Sequence, residues 1–198
     1  MSNSLPFSQS CENNKAFILR VLSRHLLQPA RVLEIASGTG QHAEYFAGHL
    51  PHITWQSTDL AANIDSLSRR ILHADLKNLL PAFALDVADQ QWPCEQPFHV
   101  FTANSLHIMS AASVKLFFDG VRKCLGPGAL LMVYGPFKYH GEFTTQSNAK
   151  FDLWLKARDP LSGIRDFETV QGYAVEAGLV LLEDNAMPAN NQLLVWQK

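Results

Sequence analysis

The segment Val32-Leu33-Glu34-Ile35-Ala36-Ser37-Gly38-Thr39-Gly40 limits most tightly how this chain can fold, because an apolar run ends in a glycine loop and a helical pattern begins at once. Ala43, Phe46, Ala47 and Leu50 recur at helical spacing, so the loop reads as the strand-to-helix turn that opens a nucleotide-binding βαβ unit. Gly38 and Gly40 let the backbone bend sharply and approach a ligand where a side chain would collide. Asp59 ends the apolar-rich run Ile53-Thr54-Trp55-Gln56-Ser57-Thr58. It follows Gly40 by close to the roughly 20 residues expected of an acid that grips a ribose hydroxyl pair.

The rest of the chain alternates in the same way. A helix is expected at 10–27 with Ser10 as cap and Pro29 as its stop, then a strand at 31–36, a helix at 40–49, a strand at 53–58 and a helix at 61–79. Short strands are read at 82–86 and 98–104, a helix from Ser110 to the breaker Gly126-Pro127-Gly128, and a strand covered on both faces at 129–134. Between Gly135 and Arg165 the alternation lapses around a helix carrying Phe151, Trp154 and Leu155. It resumes with a helix at 166–177, ended by Gly178, and strands at 179–184 and 191–197. This is a doubly wound, Rossmann-like α/β sheet, a class that binds ligands beyond the carboxyl ends of its strands. One domain over 1–198 is expected, with an amino-terminal helix and lid at 1–28 and a helical insertion at 136–165 over the cleft.

A formal charge of −2 and the absence of any block of like charge make nucleic acid a poor partner, since phosphate recognition leaves a basic patch. No apolar run reaches the roughly 20 residues that cross a bilayer, and the first residues lack the pattern of a signal peptide, so a cytoplasmic setting without membrane contact is expected. Cys11, Cys94 and Cys124 are widely separated and read as unpaired thiols, and the histidines show no metal-ligand spacing, so no metal is expected.

Gly38-Thr39-Gly40-Gln41-His42-Ala43 also fits a relaxed dinucleotide fingerprint, and charge is the discriminator. A pyrophosphate at the turn wants donors and is repelled by Glu34. S-adenosylmethionine carries no phosphate, and its ammonium and sulfonium are attracted. Asp86 can accept from an adenine amine while Leu85 and Val87 supply apolar contact.

Glu34, Gly38, Gly40, Asp59 and Asp86 together resemble the class I S-adenosylmethionine-dependent methyltransferases, whose usual first loop glycine is Ala36 here. The resemblance implies a mostly parallel seven-stranded sheet with an antiparallel last strand. The stretches Leu5-Pro6-Phe7-Ser8, Glu12-Asn13-Asn14-Lys15, Tyr134-Gly135-Pro136-Phe137-Lys138, Ser147-Asn148, Gly163-Ile164-Arg165-Asp166 and Met187-Pro188-Ala189-Asn190-Asn191 narrow it to similarity with the methyltransferase-like protein 26 family. That similarity implies S-adenosylmethionine as cofactor and S-adenosylhomocysteine as product and says almost nothing about the substrate; chain length and charge favour a small-molecule acceptor, and the oligomeric state is left open.

In such enzymes the loop after strand four, here Asn104-Ser105-Leu106-His107, faces the methyl group. Asn104 is therefore a cofactor candidate, and His107 is the candidate general base, its ordinary pKa near 6.5 suiting proton removal. The D/N-P-P-Y/F signature of amide and base methylation is absent, since Ser105 and Leu106 stand where prolines would. Phe7, Asn13, Asn14, Tyr134, Phe137, Asn148, Phe151, Arg165 and Asn190 are candidates for substrate contact in a lid. Arg165 is expected either to meet a carboxylate substrate or to pair with Asp159 or Asp166, and the tryptophans to serve packing. A cofactor-binding sensor without turnover and a nicotinamide-dependent oxidoreductase are the alternatives.

Overall fold

The computed structural model describes residues 5–93 and 98–198. The chain divides into two compact units, one within Met1–Asp86 and Phe98–Phe101, the other within Val87–Pro97 and Thr102–Lys198.

In the first unit, helix α1 (Gln9–His25) starts one residue before the expected Ser10, because the Ser8 hydroxyl accepts from the Cys11 amide and caps it. Its inner face buries Ile18, Val21 and Leu22. Strand β1 (Ala30–Ile35), helix α2 (Gln41–His49) and strand β2 (Ile53–Asp59) follow. A 3₁₀ turn at Ala61–Asn63 leads into α3 (Ile64–Ala74), and then β3 (Leu79–Ala84). The expected helix at 61–79 ends early because Asp75 takes a left-handed conformation at φ 49°, which frees Leu79 and Leu80 to open β3. β1 pairs parallel with β2, Glu34 opposite Ser57, and β2 pairs parallel with β3, Asp59 opposite Ala84. Phe46, Trp55 and Phe101 pack their rings within 5.7 Å of one another at the centre of this unit.

Strand β4 (His99–Ala103) leads to the second unit, where α4 (Ala111–Cys124) is capped by Ser110 as its sequence position implies. β5 (Leu130–Gly135) is buried along its whole length, which explains why its residues never alternate. Residues without a periodic signal form a small sheet from β6 (Phe137–Tyr139), β7 (Glu142–Phe143) and β8 (Arg165–Asp166), ordered β7-β6-β8. Strands of two or three residues are too short to show a period of two. Helix α5 (Gln146–Arg158) lies between β7 and β8, and α6 (Phe167–Glu176) precedes β9 (Val180–Met187) and β10 (Asn191–Gln197).

The main sheet has seven strands in the order β3-β2-β1-β4-β5-β10-β9, and β10 runs antiparallel to both β5 and β9. Among the described residues no helix is long and apolar enough to cross a membrane, and no cluster of potential metal ligands occurs. Cys11 is a free thiol, but Cys124 is disulfide-bonded, which corrects its reading as an unpaired thiol; Cys94 lies outside the described residues.

Candidate functional site

The glycine loop of the first unit is wound in the left-handed region at three alternate positions, Ala36 at φ 58°, Gly38 at 56° and Gly40 at 75°. That winding turns the chain from β1 into α2, and Gly40 serves as the amino-terminal cap. A Cβ on Gly38 would meet nothing within 4 Å, so its requirement for glycine is conformational. A Cβ on Gly40 would lie 2.7 Å from Leu67 and 3.0 Å from Arg70.

Asp59 at the end of β2 is buried, and its carboxylate organises this loop. One oxygen accepts from the Gly38 amide at 2.6 Å, and the other from the Leu60 amide and the Asn63 side chain, each at 2.7 Å. The Gly40 amide donates to the Ser37 carbonyl. These loop donors are thus engaged within the protein, and the group presented at the loop is an acid. Glu34 lies inside the fold, 1 % exposed, where one oxygen accepts from the Trp55 indole at 2.9 Å and the Ser57 hydroxyl at 3.4 Å. Burial pushes its pKa up to about 7, against the hydrogen bonds of Trp55, Ser37 and Ser57. Leu85 donates its amide to the Asp59 carbonyl and is buried, while the following Asp86 is exposed. Val87 is half-buried and belongs to the second unit.

Of the amino-terminal lid candidates, Phe7 and Asn13 are exposed, and Asn13 accepts from Gln9. Asn14 is buried, its oxygen 2.6 Å from His42 Nε2, and burial holds the His42 pKa down at about 4. Asn14 therefore acts as the partner of a neutral internal histidine.

In the second unit, Asn104 follows β4 in a left-handed conformation, and its amide donates to the Tyr134 carbonyl on β5. The loop it opens places His107 5 % exposed, with its ring 5.4 Å from that of Phe151. Burial lowers the His107 pKa to about 4, and the Arg165 charge acts the same way. Imidazole is therefore neutral at pH 7. Tyr134 and Phe137 are buried members of β5 and β6. Asn148, on α5, donates to the Asn190 carbonyl at 3.0 Å, and Asn190 donates to Ser147, so these two candidates fasten α5 to the turn between β9 and β10. Arg165 pairs with neither Asp159 nor Asp166. Its guanidinium donates to the carbonyls of Leu106 and Met109, which the turn after β4 leaves in need of donors, and to that of Leu161 before β8.

The model of the family described as "Protein of unknown function (DUF938)" matches residues 5–198. The chain belongs to that family. Among solved structures, this DUF938 chain is similar to an O-methyltransferase family protein from Burkholderia thailandensis, at 19 % identity and TM-score 0.81, over 93 % of this chain and 56 % of that one. The S-adenosylmethionine-dependent methyltransferase SibL, in its apo form, gives 18 %, 0.79, 96 % and 55 %. Human N-acetylserotonin methyltransferase in complex with S-adenosylmethionine gives 13 %, 0.79, 96 % and 53 %. The chain therefore spans about half the length of these proteins, and it has the class I methyltransferase fold.

Several residues that build the site in this DUF938 chain carried no signal in the sequence. Arg70 on α3 holds the Thr39 carbonyl, Gln41 holds the Thr39 hydroxyl, and Asn63 holds Asp59. In the second unit, Ser162 donates to the Ile108 carbonyl and the Gly163 amide to that of His107. Together with Arg165 they engage the four successive carbonyls of residues 106–109.

Proposed function

We propose that this chain is an S-adenosylmethionine-dependent methyltransferase acting on a small polar acceptor, and that it falls within the methyltransferase-like protein 26 group. The observation that carries the choice of cofactor is the Asp59 carboxylate bound to the Gly38 amide. A pyrophosphate would need that amide and would meet the acid's charge, which disfavours a nicotinamide or flavin dinucleotide. A nucleoside without phosphate meets neither obstacle. Asp59 retains acceptor capacity on its Gly38-bound oxygen for a ribose hydroxyl, and the exposed Asp86 suits an exocyclic amine. Ala36, Gly38 and Gly40 give close backbone approach. The complexes of the structural neighbours with S-adenosylmethionine or S-adenosylhomocysteine support the same reading.

When bound, S-adenosylmethionine supplies a methyl group made electrophilic by the sulfonium. An acceptor's lone pair would take that methyl carbon, the electron pair of the broken carbon–sulfur bond remaining on sulfur. The acceptor's proton would go to a neutral base, a role for which His107 of the second unit, neutral at pH 7, is the candidate. Its low basicity suffices because that proton becomes acidic as the bond to carbon forms, and placement of the acceptor supplies much of the acceleration.

Calorimetry tests the cofactor first. S-adenosylhomocysteine is expected to bind more tightly than reduced nicotinamide dinucleotide, and Asp59→Ala and Glu34→Ala each to weaken it at least about tenfold, or ~1.4 kcal/mol. Incubation with S-adenosylmethionine and a metabolite extract is expected to yield S-adenosylhomocysteine, and binding without that product would identify a sensor.

A further inference from the structure

Two side chains tie the amino-terminal strap, residues 5–8, to the glycine loop, and each holds both. Arg70, 8 % exposed, donates from Nε to the Thr39 carbonyl at 2.6 Å and from Nη2 to the Pro6 carbonyl. Its remaining nitrogen, Nη1, pairs with Glu44 at 2.7 Å, which fixes the guanidinium plane. Gln41 accepts with one oxygen from both the Thr39 hydroxyl and the Ser8 amide, while its amide group donates to the Ser8 carbonyl and to Glu12. The strap is thus fastened on both sides of Phe7, and both fastenings end on Thr39, the residue between the two loop glycines. All of these residues lie in one compact unit.

Phe7 itself is 65 % exposed. A large apolar side chain at the tip of a loose segment could turn away from water, but here the flanking carbonyl and amide are held by a buried arginine and a glutamine. The fastening keeps the ring outside the core and next in sequence to residues bonded to the loop. Bringing such a ring against a ligand removes apolar surface from water at a smaller cost of ordering the backbone than a loose segment would carry.

We propose that residues 5–8 form one wall of the cofactor site, with Phe7 packing against the nucleoside thioether on the glycine loop. This rests on the loop being the S-adenosylmethionine site. Because Thr39 is shared, ligand on the loop stabilises the strap, and a fastened strap stabilises the bound ligand by the same factor. Arg70 and Gln41 are positioning residues in this scheme, and Phe7 is the one that touches ligand.

The test is calorimetry of the full chain with S-adenosylhomocysteine, with hydrogen exchange of the Phe7 and Ser8 amides read alongside. Phe7→Ala is expected to weaken binding about tenfold with an unchanged melting temperature, because the side chain removed is exposed in the free protein. Gln41→Ala is expected to weaken binding and also to abolish the slowing of exchange that ligand produces at Phe7 and Ser8. Phe17→Ala removes another exposed aromatic, on α1, and is expected to bind as the parent does. If the parent binds and Phe7→Ala binds equally well, the wall assignment is wrong while the cofactor reading stands. If the parent does not bind S-adenosylhomocysteine, both fall.

Discussion

Replacing Ala36 by glycine is expected to make the protein more stable, although glycine ordinarily weakens a fold. Ala36 sits at φ 58° in the turn from β1 to α2, a region that costs an L-residue about 1–2 kcal/mol. Glycine removes that strain but adds about 0.5–1 kcal/mol of unfolded-chain entropy, leaving a net gain of about 0.5–1 kcal/mol. For a chain of this size that raises the melting temperature by about 1–4 °C. Two opposite substitutions calibrate the argument. Gly38→Ala meets no steric obstacle, so it is expected to lose only the conformational difference, about 0.5–1 kcal/mol. Gly40→Ala adds a Cβ 2.7 Å from Leu67 Cδ1 and 3.0 Å from the Arg70 side chain that holds Thr39. Overpacking there brings its cost to about 2–4 kcal/mol. Urea or thermal melts of the three variants give the ranking. A destabilised Ala36→Gly, or a Gly38→Ala as costly as Gly40→Ala, would refute the account of why the loop takes these residues.

Glu34 makes stability depend on pH in the direction opposite to most carboxylates. Its pKa in the fold is raised to about 7 from an ordinary 4.5, so its contribution is full below the unfolded value and is lost as pH rises through the folded one. The loss is on the order of 3 kcal/mol. Glu34→Gln keeps an oxygen for Trp55 and Ser57, so it is expected to flatten the decline between about pH 5 and 8, and parallel curves for the two proteins would contradict this. His42 and His107 have lowered pKa values, so their contribution has the opposite sign and is lost as pH falls from about 6.5 to 4. Arg165→Met leaves the Leu106, Met109 and Leu161 carbonyls without their donor and is expected to cost about 2 kcal/mol. It also removes a cationic neighbour, so the His107 ring is expected to titrate at higher pH by NMR, and an unmoved titration would show that the charge does not reach it.

The strand–glycine–helix unit at residues 30–50 was legible because local chemistry alone dictates it. Apolar periodicity switches from strand to helix across two glycines, and no distant residue is needed to see that. The same holds for Asp59 at the end of β2, the Ser110 cap, the unalternating β5 and the stop at Gly178, which takes φ 78°. Neighbours distant in sequence decided the rest. The helix expected at 61–79 stops at Ala74, and its last expected residue, Leu79, instead opens β3 by pairing with Trp55 on β2. The partners of Arg165 were unreadable because they are backbone carbonyls, which every residue carries and no side-chain pattern announces. Glu34 shows the division most clearly. Sequence placed an acid before the glycine loop, but its state near pH 7 comes from burial against Trp55 and Ser57 on the neighbouring strand, and desolvation is a property of the packed fold alone.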